Sequence, residues 1–282
     1  MKILFKQPAR GSNRQMNGSS NQSISDGAPE IEVRGLTMAY GSVVVMRNLD
    51  FAVRPREIFI VMGDSGCGKS TLLRHLIGLQ EPSSGEILYR GVNFTRTDDE
   101  AREAMMRGFG VLYQSSALWT SMTLAENVGL PLAEFTDLSP SEIQEIASLK
   151  LALVGLKGFE DYYPNEISGG MQKRAGVARA IALDPAILFF DEPTAGLDPT
   201  SSRMLDDLIL ELRASLGATV VVVTHELASI FTIGDNCIFL DIETRTIGAR
   251  GNPKELLRHT DNPRVRRFLT RSGPEIAGER RL

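Results

Sequence analysis

Between Gly63 and Thr71 the chain reads Gly-Asp-Ser-Gly-Cys-Gly-Lys-Ser-Thr, matching G-x-x-x-x-G-K-[ST] at every position, and it directly follows the apolar run Glu57-Ile-Phe-Ile-Val-Met62. This order predicts a strand, a tight loop and a helix beginning near Lys69. In such a loop the glycines let successive backbone N–H groups converge on the phosphates of a nucleotide, and the helix N-terminus adds its positive end. Lys69 reaches the β and γ oxygens, and Ser70 can hold Mg²⁺. The candidate binding set is therefore Gly63, Asp64, Ser65, Gly66, Cys67, Gly68, Lys69, Ser70 and Thr71. A second group follows another apolar run, Ala186-Ile-Leu-Phe-Phe, which ends in Asp191 and Glu192. Two carboxylates fixed at a strand end have separable tasks: Asp191 would hold Mg²⁺ through its water shell. Glu192 would polarise an attacking water as general base, a role worth about 10²–10⁴-fold in rate. The alternative for the pair is a plain helix cap.

Four further segments follow at long separations: an isolated Gln114, Ile167-Ser-Gly-Gly-Met-Gln172, Ala195-Gly-Leu-Asp198, and Val220-Val-Val-Val-Thr-His225. In this order, with the loop at Gly63, they resemble the ATP-binding cassette (ABC) ATPases over roughly Ile31 to Asp261. The resemblance implies an α/β fold: a P-loop NTPase with a mixed sheet core, an antiparallel β subdomain and an α-helical subdomain. It also implies ATP and Mg²⁺ as ligands. His225 would contact the γ-phosphate, and Gln114 would touch Mg²⁺ or the attacking water. Tyr40, 23 positions before Gly63, would stack on adenine, with a core tyrosine as the alternative. Ser168, Gly169 and Gly170 open an Ala-rich helix whose bare N-terminus is an anion site lacking a partner in its own chain. In the family this segment closes on the γ-phosphate held by a second copy of the chain, so that two chains sandwich two ATP molecules, and Asp198 is a further candidate cofactor-binding residue. Ile167 and Met171 depart from the usual leucine and glutamine without removing a phosphate donor.

The stretch Gln114 to Leu132, the run Ile167 to Met171 and the tail Asn262-Pro-Arg-Val-Arg-Arg-Phe-Leu269 are similar to the ATPases of MCE-linked, Mla-type phospholipid transporters. That resemblance implies a membrane permease subunit and a periplasmic MCE protein as partners. The chain would lie in the cytoplasm, peripheral to the inner membrane through the permease. The ATPase of another importer, for example for amino acids, shares every catalytic motif. A non-transport ABC protein usually carries two cassettes or a long coiled-coil insertion, and neither is present. Trp119, the one tryptophan, lies near Leu118, Met122 and Leu124 in the segment that faces a permease in the family. It is either a contact residue or core.

The elements that must position these residues are legible in outline. Residues 30–53 alternate as antiparallel strands do, whereas 57–62, 186–191 and 219–224 are continuously apolar, as in a parallel sheet buried on both faces. Ser139-Pro-Ser-Glu142 is a capping box opening an amphipathic helix, so a helical subdomain is expected over about 115–183. Asp198-Pro199 begins another helix, with Leu205, Leu208 and Leu212 on one face and a stop at Gly217. The expected organisation is a flexible tail over 1–29, a domain over 30–261, and an extension over 262–282 with one short helix. The formal charge is −4, from 31 basic and 35 acidic residues, which offers no basic field for nucleic acid. No apolar run approaches the roughly 18 residues of a membrane span, so direct insertion is not expected. Two distant cysteines, Cys67 and Cys237, fit a reducing compartment.

Overall fold

The computed structural model describes residues 28–270, so most of the tail expected over 1–29, and the part of the extension expected over 262–282 that follows residue 270, lie outside the described residues. The chain opens with two long strands, β1 (Ile31–Tyr40) and β2 (Val43–Val53), then β3 (Ile58–Gly63) and helix α1 (Lys69–Leu76). Strands β4 (Ser84–Tyr89) and β5 (Val92–Asn93), helix α2 (Asp99–Met106) and strand β6 (Phe109–Leu112) follow. A helical stretch comes next: α3 (Leu124–Phe135), α4 (Pro140–Leu153) and α5 (Gly169–Ala180). Strand and helix then alternate through β7 (Ile187–Asp191), α6 (Pro199–Leu216), β8 (Thr219–Val223), α7 (Leu227–Ile233) and β9 (Asn236–Asp241), and the described chain closes with β10 (Thr246–Gly251), α8 (Pro253–His259) and α9 (Pro263–Thr270).

Six strands form the central sheet in the order β10-β9-β3-β8-β7-β6, parallel except for the hairpin of β9 with β10. A second, antiparallel sheet has the order β2-β1-β4-β5. The continuously apolar strands owe that character to burial on both faces. Along β3, Ile58, Ile60 and Met62 enter the core shared with α3, α4, α5 and α6. Phe59 and Val61 enter the opposite core, shared with α1 and the antiparallel sheet. Strands β7, β8 and β9 alternate between the two cores in the same way, so the central sheet joins the layers, and the loop after Gly63 leaves from the C-terminal end of β3.

Capping follows local chemistry. Ser139 and Glu142 form the reciprocal box at α4, and Asp198 accepts from Thr200 N and Ser201 N at 3.0 Å to start α6, which stops at left-handed Gly217. A box not anticipated, Thr123 with Glu126, starts α3. Val265 and Leu269 of α9 are buried in the larger core, and Phe268 meets the Phe239 ring edge-on at 5.3 Å, so the packed domain continues past Asp261. Among the described residues, no helix is long and apolar enough to cross a membrane.

Candidate functional site

The loop from Gly63 to Gly68 needs conformations that L side chains rarely adopt. Gly63, Gly66 and Gly68 have φ of 153°, 78° and 101°. A Cβ on Gly63 would stand 2.7 Å from both Cys67 Sγ and the Leu240 carbonyl, and one on Gly68 would stand 2.7 Å from Val45 Cγ1. Helix α1 starts at Gly68 with no side-chain cap and no acidic residue in its first turn, leaving its amides for an anion. Lys69 is buried and its ammonium donates to the carbonyls of Gly63 at 2.9 Å and Asp64 at 3.1 Å, holding the loop closed around the cation.

An open cleft of ≈ 440 Å³ collects Tyr40, Ser65, Gly66, Gly68, Lys69, Ser70, Thr71, Gln114, Glu192 and His225. Tyr40 is 49% exposed and its hydroxyl lies 3.5 Å from Thr71 Oγ1, so its ring is free to face a ligand. That placement removes the alternative of a core tyrosine. Ser70 Oγ donates to Asp191 Oδ1 at 3.1 Å. Burial pushes the Asp191 carboxyl up from its ordinary range, and the Ser70 bond opposes the shift. A hydroxyl and one carboxylate side by side, next to where phosphate oxygens would lie, form the small hard-oxygen set that Mg²⁺ takes alongside substrate phosphates. The residues present therefore fit Mg²⁺, which needs no larger protein cage. Among the described residues no group of three or more His, Cys, Asp or Glu side chains could hold a metal ion.

Glu192 follows the last residue of β7 in a left-handed conformation, φ 47°, with its amide donating to the Val223 carbonyl at 2.8 Å. Such a conformation in a non-glycine residue costs on the order of 1–2 kcal/mol and persists only where the surroundings impose it. The carboxylate is buried, and His225 Nδ1 lies 2.8 Å from its Oε1. The ring that was expected to meet a γ-phosphate thus pairs with the expected base inside the same cleft. The pair is set by β7 and β8, neighbours in the sheet although 33 residues apart in the chain.

Some expected residues lie elsewhere. Gly63 and the Cys67 side chain sit behind the loop, and burial pushes the Cys67 thiol up, with Lys69 opposing, so only its backbone is available to a phosphate. The Asp64 carboxylate points away, 3.8 Å from Arg264 of α9. Ser168, Gly169, Gly170 and Asp198 do not line the cleft. Ser168 is exposed at the N-terminus of α5, yet that end is not bare: Ser168 Oγ accepts from Met171 N at 3.3 Å. Asp198 is committed to capping α6, and the Ser201 hydroxyl holds its carboxyl below the usual range. Trp119 is 58% exposed, which excludes the core alternative, whereas its expected neighbour Leu124 is fully buried.

Two further residues belong to this neighbourhood although no motif in the sequence marks them. Lys173 of α5 is buried, and its ammonium donates to the Gln114 carbonyl and, at 3.3 Å, to that of Glu192. Burial lowers its affinity for the proton, while Asp191 and Glu192 act in the opposite sense. Arg179, two turns on, donates to the Ser116 and Ala117 carbonyls. A lone lysine inside an Ala- and Gly-rich helix was the available signal, because such a helix packs closely and its cations then need partners.

A family model described as ABC transporter matches residues 46–195. The probable ribonucleotide transport ATP-binding protein mkl of Mycobacterium tuberculosis is 42% identical over 246 residues, 86% of this chain and 68% of that protein. The intermembrane phospholipid transport system ATP-binding protein MlaF of Haemophilus influenzae is 39% identical over 239 residues, 85% of this chain and 89% of that protein. Among solved structures, a dimeric ATP-binding cassette in a post-hydrolysis state with ADP and Pi superimposes with a TM-score of 0.72. It is 30% identical and covers 79% of this chain and 98% of that one.

Proposed function

The chain belongs to the ABC transporter family as an ATP-binding, ATP-hydrolysing subunit, and we propose that it powers phospholipid transport across a cell envelope. The observation that carries the catalytic reading is the single cleft in which the Gly63–Thr71 loop meets Glu192 and His225. Lys69 and the amides of α1 bind the β and γ phosphates, Tyr40 stacks on the adenine, and Ser70 with Asp191 holds Mg²⁺, assisted by Gln114. When bound, that ion neutralises charge on the β and γ oxygens. Glu192, oriented by His225 at 2.8 Å, takes the proton of the attacking water, and burial keeps competing solvent from its carboxylate.

Two copies act together. Ser168, Gly169 and Asp198 are exposed and Gly170 is half-buried, all outside the cleft of their own chain, and in this reading they complete the partner's nucleotide site. Trp119 and the apolar groove of ≈ 470 Å³ lined by Phe109, Val111, Leu130 and Phe135 face a membrane permease, which holds the chain at the cytoplasmic side of the membrane. An MCE protein lies beyond the permease. What supports phospholipid as the cargo is the MlaF relative, named for intermembrane phospholipid transport and matched over 89% of its length, against 68% for mkl. The ribonucleotide in the mkl name is the competing cargo, at 42% identity. Purification of the intact complex in mild detergent, with mass spectrometry of lipids and nucleotides, decides between them.

Glu192→Gln tests the catalytic assignment. The amide keeps the size of the side chain and leaves Lys69, Ser70 and Asp191 untouched, so ATP affinity should stay within about threefold. Turnover should fall by about 10²–10⁴-fold for want of a base. Hydrolysis at the wild-type rate would remove Glu192 from the mechanism.

A further inference from the structure

Helix α5 carries two cations toward the turn that follows Gln114. Lys173 donates to the Gln114 carbonyl, while the Arg179 guanidinium donates through Nη2 to Ser116 O and through Nη1 to Ala117 O, both at 2.8 Å. Midway between them, Gly176 lets the turn lie close against the helix. A Cβ there would stand 2.7 Å from Leu112 Cδ1 and 3.2 Å from Ser116 Cβ. Lys173, Gly176 and Arg179 follow one another at steps of three residues, so the three form a row along one side of α5.

The turn itself is strained. Ser116 and Ala117 have φ of 62° and 48°, two successive left-handed residues with no glycine between Gln114 and Trp119. L side chains leave that region unless neighbouring groups hold them there. The turn supplies one bond of its own, Ser116 N to Tyr113 O at 2.8 Å, and its next two carbonyls go to the planar fork of Arg179. A guanidinium suits this task because its donors are rigidly spaced, whereas an ammonium acts as a point charge. Downstream, the Asn127 side chain accepts from Trp119 N at 2.8 Å and donates to Trp119 O at 3.0 Å. An exposed indole is thereby joined by fixed backbone to a glutamine that lines the nucleotide cleft.

We propose that Lys173 and Arg179 are positioning residues that hold the strained Gln114–Ala117 turn against α5, and that the rate of ATP hydrolysis depends on this hold. The proposal rests on reading the cleft as the ATP site. Neither side chain lines the cleft, so each acts through the backbone of the turn and, for Lys173, also through the Glu192 carbonyl.

The test uses the full chain with Arg179→Met, alone and combined with Ala117→Gly, and reads amide hydrogen exchange over 114–119 together with steady-state ATPase kinetics. Arg179→Met should speed exchange across 114–119 by about tenfold or more, and lower kcat by about tenfold with the KM for ATP within about twofold. Ala117→Gly should then return kcat to within about threefold of wild type, because glycine occupies the left-handed region without strain. A general packing defect in α5 would not be repaired by a glycine in a different segment. Unchanged exchange over 114–119, unchanged kcat despite faster exchange, or no recovery with Ala117→Gly would each overturn the proposal. Arg179→Lys, which keeps the charge and loses the fork, carries the same comparison if the methionine variant melts below the assay temperature. Glu192→Gln measured alongside separates the two readings. Wild-type turnover there refutes the catalytic cleft, while the exchange and rescue data still decide the role of Arg179.

Discussion

Replacing Trp119 by alanine separates a contact side chain from a packing one. Trp119 is 58% exposed, which leaves 42% of the residue covered. Truncating a fully buried tryptophan costs about 3–5 kcal/mol, so that share predicts about 1.3–2.1 kcal/mol. The backbone bonds from Trp119 to Asn127 survive the change, because they involve N and O and not the ring. For a domain of this size the loss corresponds to a fall in Tm of about 3–8 °C, small enough to leave the subunit folded. If the ring is an anchor for the permease, its removal should cost about 2 kcal/mol or more of binding, about 30-fold in Kd. Differential scanning fluorimetry of the isolated chain and titration against detergent-solubilised permease read the two quantities separately. Permease affinity within about threefold of wild type would refute the contact argument. A fall in Tm above about 12 °C would refute the exposure on which it stands.

Gly63→Ala should destabilise the fold and abolish high-affinity ATP binding together, since its Cβ has 2.7 Å to the Leu240 carbonyl and φ is 153°; thermal melting with a nucleotide titration checks both. Burial raises the Asp206 carboxyl to about 6, against a partial offset from its Ser229 bond, and its Oδ1 has no partner. The folded state therefore binds this proton more tightly than the unfolded one, and stability falls as pH rises from about 4 to about 6, by on the order of 2–3 kcal/mol. Asp206→Asn should flatten that part of the profile of Tm against pH relative to wild type, and an identical slope in both would contradict it. Ser168→Ala and Lys69→Ala damage different halves of a shared site, so the mixed dimer should regain activity that neither homodimer has. Co-expression with two affinity tags and an ATPase assay of the doubly purified species measures this, and no gain would count against the sandwich.

The features legible in the sequence are those in which a residue's partner lies within a few positions. The Gly63–Thr71 loop is one, because phosphate binding needs glycine torsions at fixed offsets before a helix start, and those torsions are present at Gly63, Gly66 and Gly68. The box of Ser139 with Glu142, the Asp198 cap and the stop at Gly217 are others, each closed by bonds across two to four residues. Burial on both faces is likewise written into the uninterrupted apolar character of β3, β7 and β8. Local signals also misled: the N-terminus of α5 reads as bare from its glycines, yet Ser168 turns its own oxygen onto Met171.

Tertiary structure decided what depends on segments meeting from far along the chain. His225 reaches Glu192 only because β7 and β8 pair in the sheet, and no spacing in the sequence encodes a pairing across 33 residues. Lys173 finds the Gln114 carbonyl 59 residues away, and Arg179 finds Ser116 across 63, because α5 crosses beneath the turn at Gly176. Trp119 and Leu124 are both large and apolar and lie five residues apart, but α3 turns Leu124 inward and leaves the indole in solvent. Hydrophobicity supplies the drive for burial without the direction. Direction comes from which element lies opposite, so the phosphate loop and the carboxylates at the end of β7 were legible in their own residues, while the contact of His225 with Glu192 and the supports from Lys173 and Arg179 arose only when the sheet and the helical subdomain came together.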